Sequence, residues 1–145
     1  MLITDALLGE HRVFYLFFQH LEQVLPDLDS TSALQAHTAG LSFALEAHAH
    51  AEDELLFTAL EPHLGAQSGP LAVMRMEHDQ ITALLERLKS PTNLTQGHTL
   101  ATQMLDLSRD HFQKEEQILF PLARQFLGEQ ELAELGRQWA RLSPP

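Results

Sequence analysis

The chain contains no cysteine. Disulfides, thiolate metal sites and cysteine nucleophiles are therefore excluded, and the composition is compatible with a reducing compartment. No apolar run approaches the roughly 20 residues that a membrane helix needs. The N-terminus lacks a basic stretch ahead of an apolar core, so no export signal is read. Cations are scarce: 9 Lys and Arg stand against 20 Asp and Glu, a formal net charge of −11. That balance argues against nucleic acid and anionic membrane as partners, because both are held by clustered cations. There is also no alternating strand pattern, Rossmann glycine signature, phosphate-binding loop or HExxH motif. The expectation is a soluble, cytoplasmic, all-α protein. Its 145 residues suit a single domain, 1–145, that needs no covalent staples.

Helical periodicity fills most of the chain. Leu7, Leu8, Phe14, Phe17, Phe18, Leu21, Val24 and Leu25 mark a first helix that Pro26 stops, with Thr4 or Asp5 as its cap. Ser32 and Gln35 resemble a capping box for a second helix reaching about Glu61, before Pro62. Its inward face is Leu41, Leu45, His48, Glu52, Leu55 and Ala59. Pro70 suits the start of a third helix, which runs to about Lys89 through Leu71, Met74, His78, Ile81, Leu84, Leu85 and Leu88. The fourth, from about Gln96 towards Leu127, turns Met104, Leu107, His111, Glu115, Ile118 and Leu122 inward. Pro121 should kink it or loosen a turn, and Gly128 can end it. Leu132, Leu135, Trp139 and Leu142 mark a short fifth helix over about 129–142, expected to pack on its own bundle. Short connections imply an up-down-up-down four-helix bundle over about 4–127, followed by this C-terminal helix.

Histidine is in unusual supply, at nine. Number alone says little, since His is at home on a solvated surface; spacing carries the signal. The stretch His111-Phe112-Gln113-Lys114-Glu115-Glu116-Gln117-Ile118-Leu119-Phe120 repeats the key positions of His48-Ala49-His50-Ala51-Glu52-Asp53-Glu54-Leu55-Leu56-Phe57. Each copy places Glu four residues after His, then a second acid, then a Leu-Phe pair. Residues i and i+4 share a helix face, so each copy aims an imidazole and a carboxylate at one point. Glu10-His11 and Glu77-His78 form a second matching pair, with apolar residues at the same offsets beyond each His. The two halves of the chain are related, with offsets of 67 (78 − 11) and 63 (111 − 48).

In an up-down bundle, ligands must sit at similar heights. His11 lies about 21 Å before its helix ends and His48 about 24 Å after its helix begins, at 1.5 Å per residue. The core set is then His11, His48, Glu52, His78, His111 and Glu115. Taken alone, His11 reads as a satisfied core histidine. Together, four imidazoles and two carboxylates in a Leu/Phe interior need partners, because each unpaired ionised carboxylate would cost several kcal/mol. A dinuclear metal centre removes that cost. If both Glu bridge, each metal takes two nitrogens and two carboxylate oxygens, with room for a solvent bridge and an exogenous ligand. Nitrogen and oxygen donors without sulfur suit Fe, Mn or Zn. The competing reading is two coincidental His-Glu pairs on a solvated face, and the recurrence of both pairs with both lone His weighs against it. His20 and His50 should point outward, and His37 shares the face of His48 but lies about 16 Å along the helix from it. Asp53 and Glu116, about 100° round from Glu52 and Glu115, read either as hydrogen-bond partners of ligand imidazoles or as solvated face. Glu116 is also an alternative to Glu115 as ligand. Tyr15 reads as a core aromatic, or as a phenol that bonds a bound ligand or quenches an oxidising equivalent.

On Glu10-His11, His48-x-x-x-Glu52, Glu77-His78, and His111-x-x-x-Glu115-Glu116 with Leu119-Phe120-Pro121, the chain resembles the hemerythrin-like, or HHE cation-binding, domain family. The resemblance runs from about Asp5 to Phe126. It implies a four-helix bundle around a non-haem pair of iron ions with two Glu bridges and an oxo or hydroxo bridge, Zn or Mn being substitutes. Its members bind oxygen, sense oxygen or iron, or act in nitric oxide and oxidative stress responses. Oxygen-carrying members have a further His where this chain has Met74, and an Asp five residues after the fourth-helix His, where this chain has Glu116 behind Glu115. The site therefore resembles a symmetric four-His, two-Glu variety. Relatives that repair damaged iron centres carry an additional Cys-containing N-terminal segment, which this sequence lacks, so no repair role is read.

The expected function is binding of, or reaction with, O2, peroxide or NO at a carboxylate-bridged di-iron centre. The alternatives are a metal- or oxygen-responsive sensor or interaction module, and iron or zinc storage without redox chemistry. The expected partners are a small diatomic ligand or peroxide, and a redox or signalling protein.

Overall fold

The computed structural model describes residues 1–142, so the last three residues of the expected 1–145 unit lie outside the described residues. Helix α1 spans Ile3–Val24 and closes in a 3-10 turn at Leu25–Asp27. Helix α2 covers 31–64, α3 is Gly69–Leu88, α4 covers 94–126 and α5 is Gly128–Trp139. There is no strand among the described residues, and no helix is long and apolar enough to cross a membrane. Each of the first four helices packs on the next, and α4 returns to α1. The architecture is the expected all-α bundle with a short C-terminal helix, which lies against α1.

Helix ends differ in detail from the sequence reading. Ser30 caps α2, its hydroxyl accepting from the Ala33 N–H at 3.2 Å, so the Ser32 capping box does not form. Helix α1 starts at Ile3 without a side-chain cap. Thr4 is buried inside the first turn, and Asp5 pairs with Arg124 at 2.9 Å. Asn93 caps α4 by accepting from Gln96 N–H at 2.9 Å, so the helix begins at Leu94. Helix α2 continues through Pro62 to Leu64. The proline sits in the last turn, where one missing N–H interrupts little, and Gly65 at φ 79° ends the helix.

The largest departure is a change of helical phase. Both long helices widen to i→i+5 turns, at Glu52–Phe57 in α2 and Glu115–Leu119 in α4. Such a π-type turn accommodates one additional residue, so every later side chain turns about 100° from its straight-helix position. The expected inward residues Leu55 and Ala59 are replaced by the fully buried Leu56 and Leu60. In α4, Ile118 is 52% exposed and Leu119 and Ala123 take the places of Ile118 and Leu122. The same one-residue slip begins at the glutamate of both repeats. Elsewhere the straight-helix pattern holds, except that Phe17 points out at 52% exposure and that α5 ends at Trp139, which leaves the expected stripe residue Leu142 exposed beyond it.

Apolar side chains form two blocks. One contains Phe14, Phe18, Leu45, Ile81, Met104 and Phe112. The other contains Ile3, Leu7, Leu56, Phe57, Met74, Leu119, Leu132 and Leu135. Along each of the first four helices the chain passes from one block to the other through a buried polar layer holding His11, His48, Glu52, His78, His111 and Glu115.

Helix α5 closes the second block through Leu132 and Leu135, and its backbone meets the N-terminus at Gly136. A Cβ there would lie 2.2 Å from the Met1 carbonyl oxygen and 3.1 Å from the Ile3 nitrogen. Gly136→Val should lower stability by about 1–3 kcal/mol, the usual range for overpacking. Gly9→Ala, with nothing within 4 Å of the added carbon, should raise it by about 0.5–1 kcal/mol through helix propensity. Denaturant unfolding of the two variants checks this, and equal effects would contradict the close approach.

Candidate metal centre

Four helices each bring one imidazole into the polar layer, and α2 and α4 each add a glutamate one turn further on. All six side chains are buried. Ligand atoms of His11, His48, Glu52 and Glu115 lie within 4.8 Å of one another. So do those of Glu52, His78, His111 and Glu115. The two groups share both carboxylates, and the oxygens are divided between them. Glu52 Oε1 is 3.3 Å from His48 Nε2, while its Oε2 is 3.3 Å from His78 Nε2. Glu115 Oε2 is 3.3 Å from His11 Nε2, while its Oε1 is 3.3 Å from His111 Nε2.

The far nitrogen of every imidazole meets another carboxylate. The Nδ1–H of His48 donates to Glu10 at 2.7 Å, that of His78 to Asp53 at 3.4 Å, that of His111 to Glu77 at 2.9 Å and that of His11 to Glu116 at 3.0 Å. Helix α1 thus serves the His of α2, α2 that of α3, α3 that of α4, and α4 that of α1. A carboxylate on Nδ1–H fixes the tautomer that turns the Nε2 lone pair inward and makes it a better donor.

The inward atoms lack conventional partners. Both oxygens of Glu52 and of Glu115, and the Nε2 atoms of His78 and His111, are buried without a hydrogen bond. His11 Nε2 and His48 Nε2 approach to 3.1 Å, which two lone pairs do not favour. Buried polar atoms are normally satisfied, so this inward-facing donor set fits a cation. Its nitrogen and oxygen donors suit iron, manganese or zinc.

The sequence reading picked out these six, and the structure brings all six together. It also places Asp53 and Glu116 on imidazoles rather than on an idle solvated face. Glu10 and Glu77 were visible only as repeated Glu-His dipeptides, with no partner assigned. Tyr15 stands behind His11: its hydroxyl donates to Glu116 Oε1 at 3.2 Å, and burial and the nearby Glu116 carboxylate push its pKa up to about 12. His20 and His50 are exposed, as expected, and His37, whose spacing put it on the face of His48, is exposed as well.

The fold and the two linked clusters define a metal-binding helical bundle. The family described as Hemerythrin HHE cation binding domain matches residues 2–123, and the chain belongs to it. Among curated proteins the chain is similar to the iron-sulfur cluster repair protein YtfE of Escherichia coli O139:H28 and to that of Shigella boydii serotype 18. Each is 31% identical over 116 residues, which cover 71% of this chain and 53% of the relative. The chain therefore spans about half the length of these relatives. No solved structure matches it significantly.

Protons compete with a cation for this layer. Burial opposes charging of His48, but Glu52 and Glu10 outweigh it and push its pKa up to about 10. His78 is pushed up to about 10 against the same burial by Asp53 and Glu52. His111, likewise opposed by burial, is raised by Glu115. Burial alone would lift the Glu52 carboxyl, yet His48 and His78 hold it well below the usual range. These raised imidazoles stabilise the cation-free fold fully below their unfolded pKa of about 6.5. For His48 and His78 that contribution is lost as pH rises through about 10. A metal must displace the Nε2 protons. Adding Zn(II) to metal-free protein at pH 7 should release protons, and apparent affinity should rise with pH. Indicator-dye titration in weak buffer checks this, and pH-independent uptake would contradict it.

Proposed function

We propose that the centre holds two iron ions, one between His11 and His48 and the other between His78 and His111, with Glu52 and Glu115 bridging them. The observation that carries this reading is the division of each glutamate's two oxygens between the two histidine pairs. The pair of irons would supply one-electron chemistry and positions for a small ligand: dioxygen, peroxide or nitric oxide. The chain's own residues set the conditions. Glu10, Asp53, Glu77 and Glu116 orient the imidazoles. Phe112, stacked on His11 at 3.9 Å between ring centres, and Phe57, stacked on His78 at 5.3 Å, exclude water from the donor layer. The place of work is the cytoplasm, with a redox or signalling protein as partner.

The relatives favour a second reading of the same centre, a role in the repair of iron-sulfur clusters. The sequence reading assigned no repair role, and the 31% identity to these relatives supports one. Iron-loaded protein that restores a damaged iron-sulfur enzyme, with metal-free protein inactive, would support repair. Metal-dependent protease protection without turnover would favour the sensor alternative, and inert metal retention would favour storage.

Metal analysis with an ultraviolet-visible spectrum, taken anaerobically, in air and with nitric oxide, tests the main reading. It should find about two irons per chain and bands that change with the gas. Glu52→Ala and Glu115→Ala should each lose both ions together, whereas His50→Ala should lose none. A full pair retained in both glutamate variants would overturn the bridging assignment.

A further inference from the structure

The two halves of the centre are built alike but charged differently. Behind His11 and His48 stand Glu116 and Glu10, and neither carboxylate is paired with Lys or Arg among the described residues. The further partner of Glu116 is the neutral hydroxyl of Tyr15. Behind His78 and His111 stand Asp53 and Glu77, and each has a cation. Lys114 Nζ is ion-paired with Glu77, whose side chain is buried. Arg75 Nε lies 4.0 Å from Asp53 Oδ1 without a hydrogen bond to it, its guanidinium being paired with Glu61 at 2.5 Å, so this cation is the more loosely held of the two. The Arg75 guanidinium also sits 6.0 Å from the centre of the Phe57 ring, itself stacked on His78.

The repeat shows that this difference is specific to the second half. Subtracting the offsets gives 75 − 67 = 8 and 114 − 63 = 51, and those positions are Leu8 and Ala51. Neither equivalent position carries a cation, and Arg109, which lies near Tyr15 on the first side, is ion-paired with Glu22 rather than with Glu10 or Glu116.

A carboxylate on Nδ1–H makes an imidazole a better donor. A cation on that carboxylate takes part of the effect back and adds positive charge near the incoming ion. Glu77 is buried and Lys114 half-exposed, so their pairing is only partly screened. We propose that the two metal positions are unequal in affinity: the position between His11 and His48 fills first, and Lys114, with Arg75, holds the position between His78 and His111 to weaker binding. This rests on the two-metal reading above. It makes Lys114 a positioning residue that acts on the metal through Glu77 and His111.

The test is anaerobic titration of the metal-free full chain with Co(II), followed by its visible ligand-field bands, with bound ions counted by native mass spectrometry. Glu10→Gln and Glu116→Gln should weaken the first step by roughly 10- to 100-fold, the range for lost outer partners of a metal ligand. Lys114→Gln should strengthen the second step by roughly threefold to tenfold, from one charge removed at a partly screened distance, and Lys114→Arg should restore it. A general loss of fold would weaken both steps in every variant, so strengthening is the distinguishing result. Two ions bound, with Lys114→Gln leaving the second step unchanged or strengthening the first, would overturn the proposal. Fewer than two ions in the unaltered protein would overturn the two-metal reading itself.

Discussion

The burial of Glu52 and Glu115 is the constraint on which the rest of the structure depends. Each is fully inaccessible, and neither has a hydrogen-bond partner for its oxygens. A buried charge without compensation costs several kcal/mol, against a total stability of about 5–15 kcal/mol for a domain. Two apolar blocks enclose the layer from either side, so water does not offset the cost. Positive charge must come from within, as protons on the imidazoles or as metal. Six carboxylates surround the layer, counting Glu10, Asp53, Glu77 and Glu116 with the two glutamates at its middle. Two divalent ions would return four positive charges to those six negative ones.

Local backbone geometry answers to the same layer. A straight helix carries a histidine and the glutamate four residues later on one face, but the residues beyond then keep a fixed phase. The wide turns at Glu52 and Glu115 break that phase. They let each helix present its His-Glu pair to the centre and then Leu56-Phe57 or Leu119-Phe120 to the second apolar block. Widened turns cluster at functional sites in general, and here both copies of the repeat carry one at the same glutamate. Phe57 shows why the phase matters, since its ring covers His78.

What the sequence revealed and what it concealed divide along physical lines. The inward set was legible because repetition supplied a second measurement: one His-x-x-x-Glu is common, while two in matching surroundings with two matching Glu-His dipeptides are not. The phase after each glutamate was not legible, because Leu55 and Ile118 fit the straight-helix stripe as well as Leu56 and Leu119 do. Only three-dimensional packing decides between adjacent apolar residues. Asp53 and Glu116 could be flagged from their angle on the helix. Glu10 and Glu77 could not be assigned, since each serves a histidine on the following helix rather than its own neighbour. The cap of α2 failed for a simpler reason: Ser30 and Ser32 are both plausible, and it is Ser30 that has the extended backbone of a cap and accepts from the Ala33 N–H.

The order of these carboxylates has a consequence for how the two related halves cooperate. Within a half, α1 completes the histidine of α2, and α3 completes that of α4. Between halves, α2 completes α3, and α4 reaches back to α1. Either half alone therefore leaves its first histidine without an outer partner and holds only one of the two shared glutamates. The cluster of His11 and His48 cannot form until α4 has docked on α1 and α2, and that of His78 and His111 cannot form until α2 has docked on α3 and α4. An ion that binds either cluster thus binds the two halves docked together and not one half alone, and its binding energy adds to the stability of the docked state. The hydrogen bond between Glu116 and His11 spans 105 residues, so closure joins the site across most of the chain's length. Metal occupancy and the docking of the two halves are, on this geometry, linked equilibria.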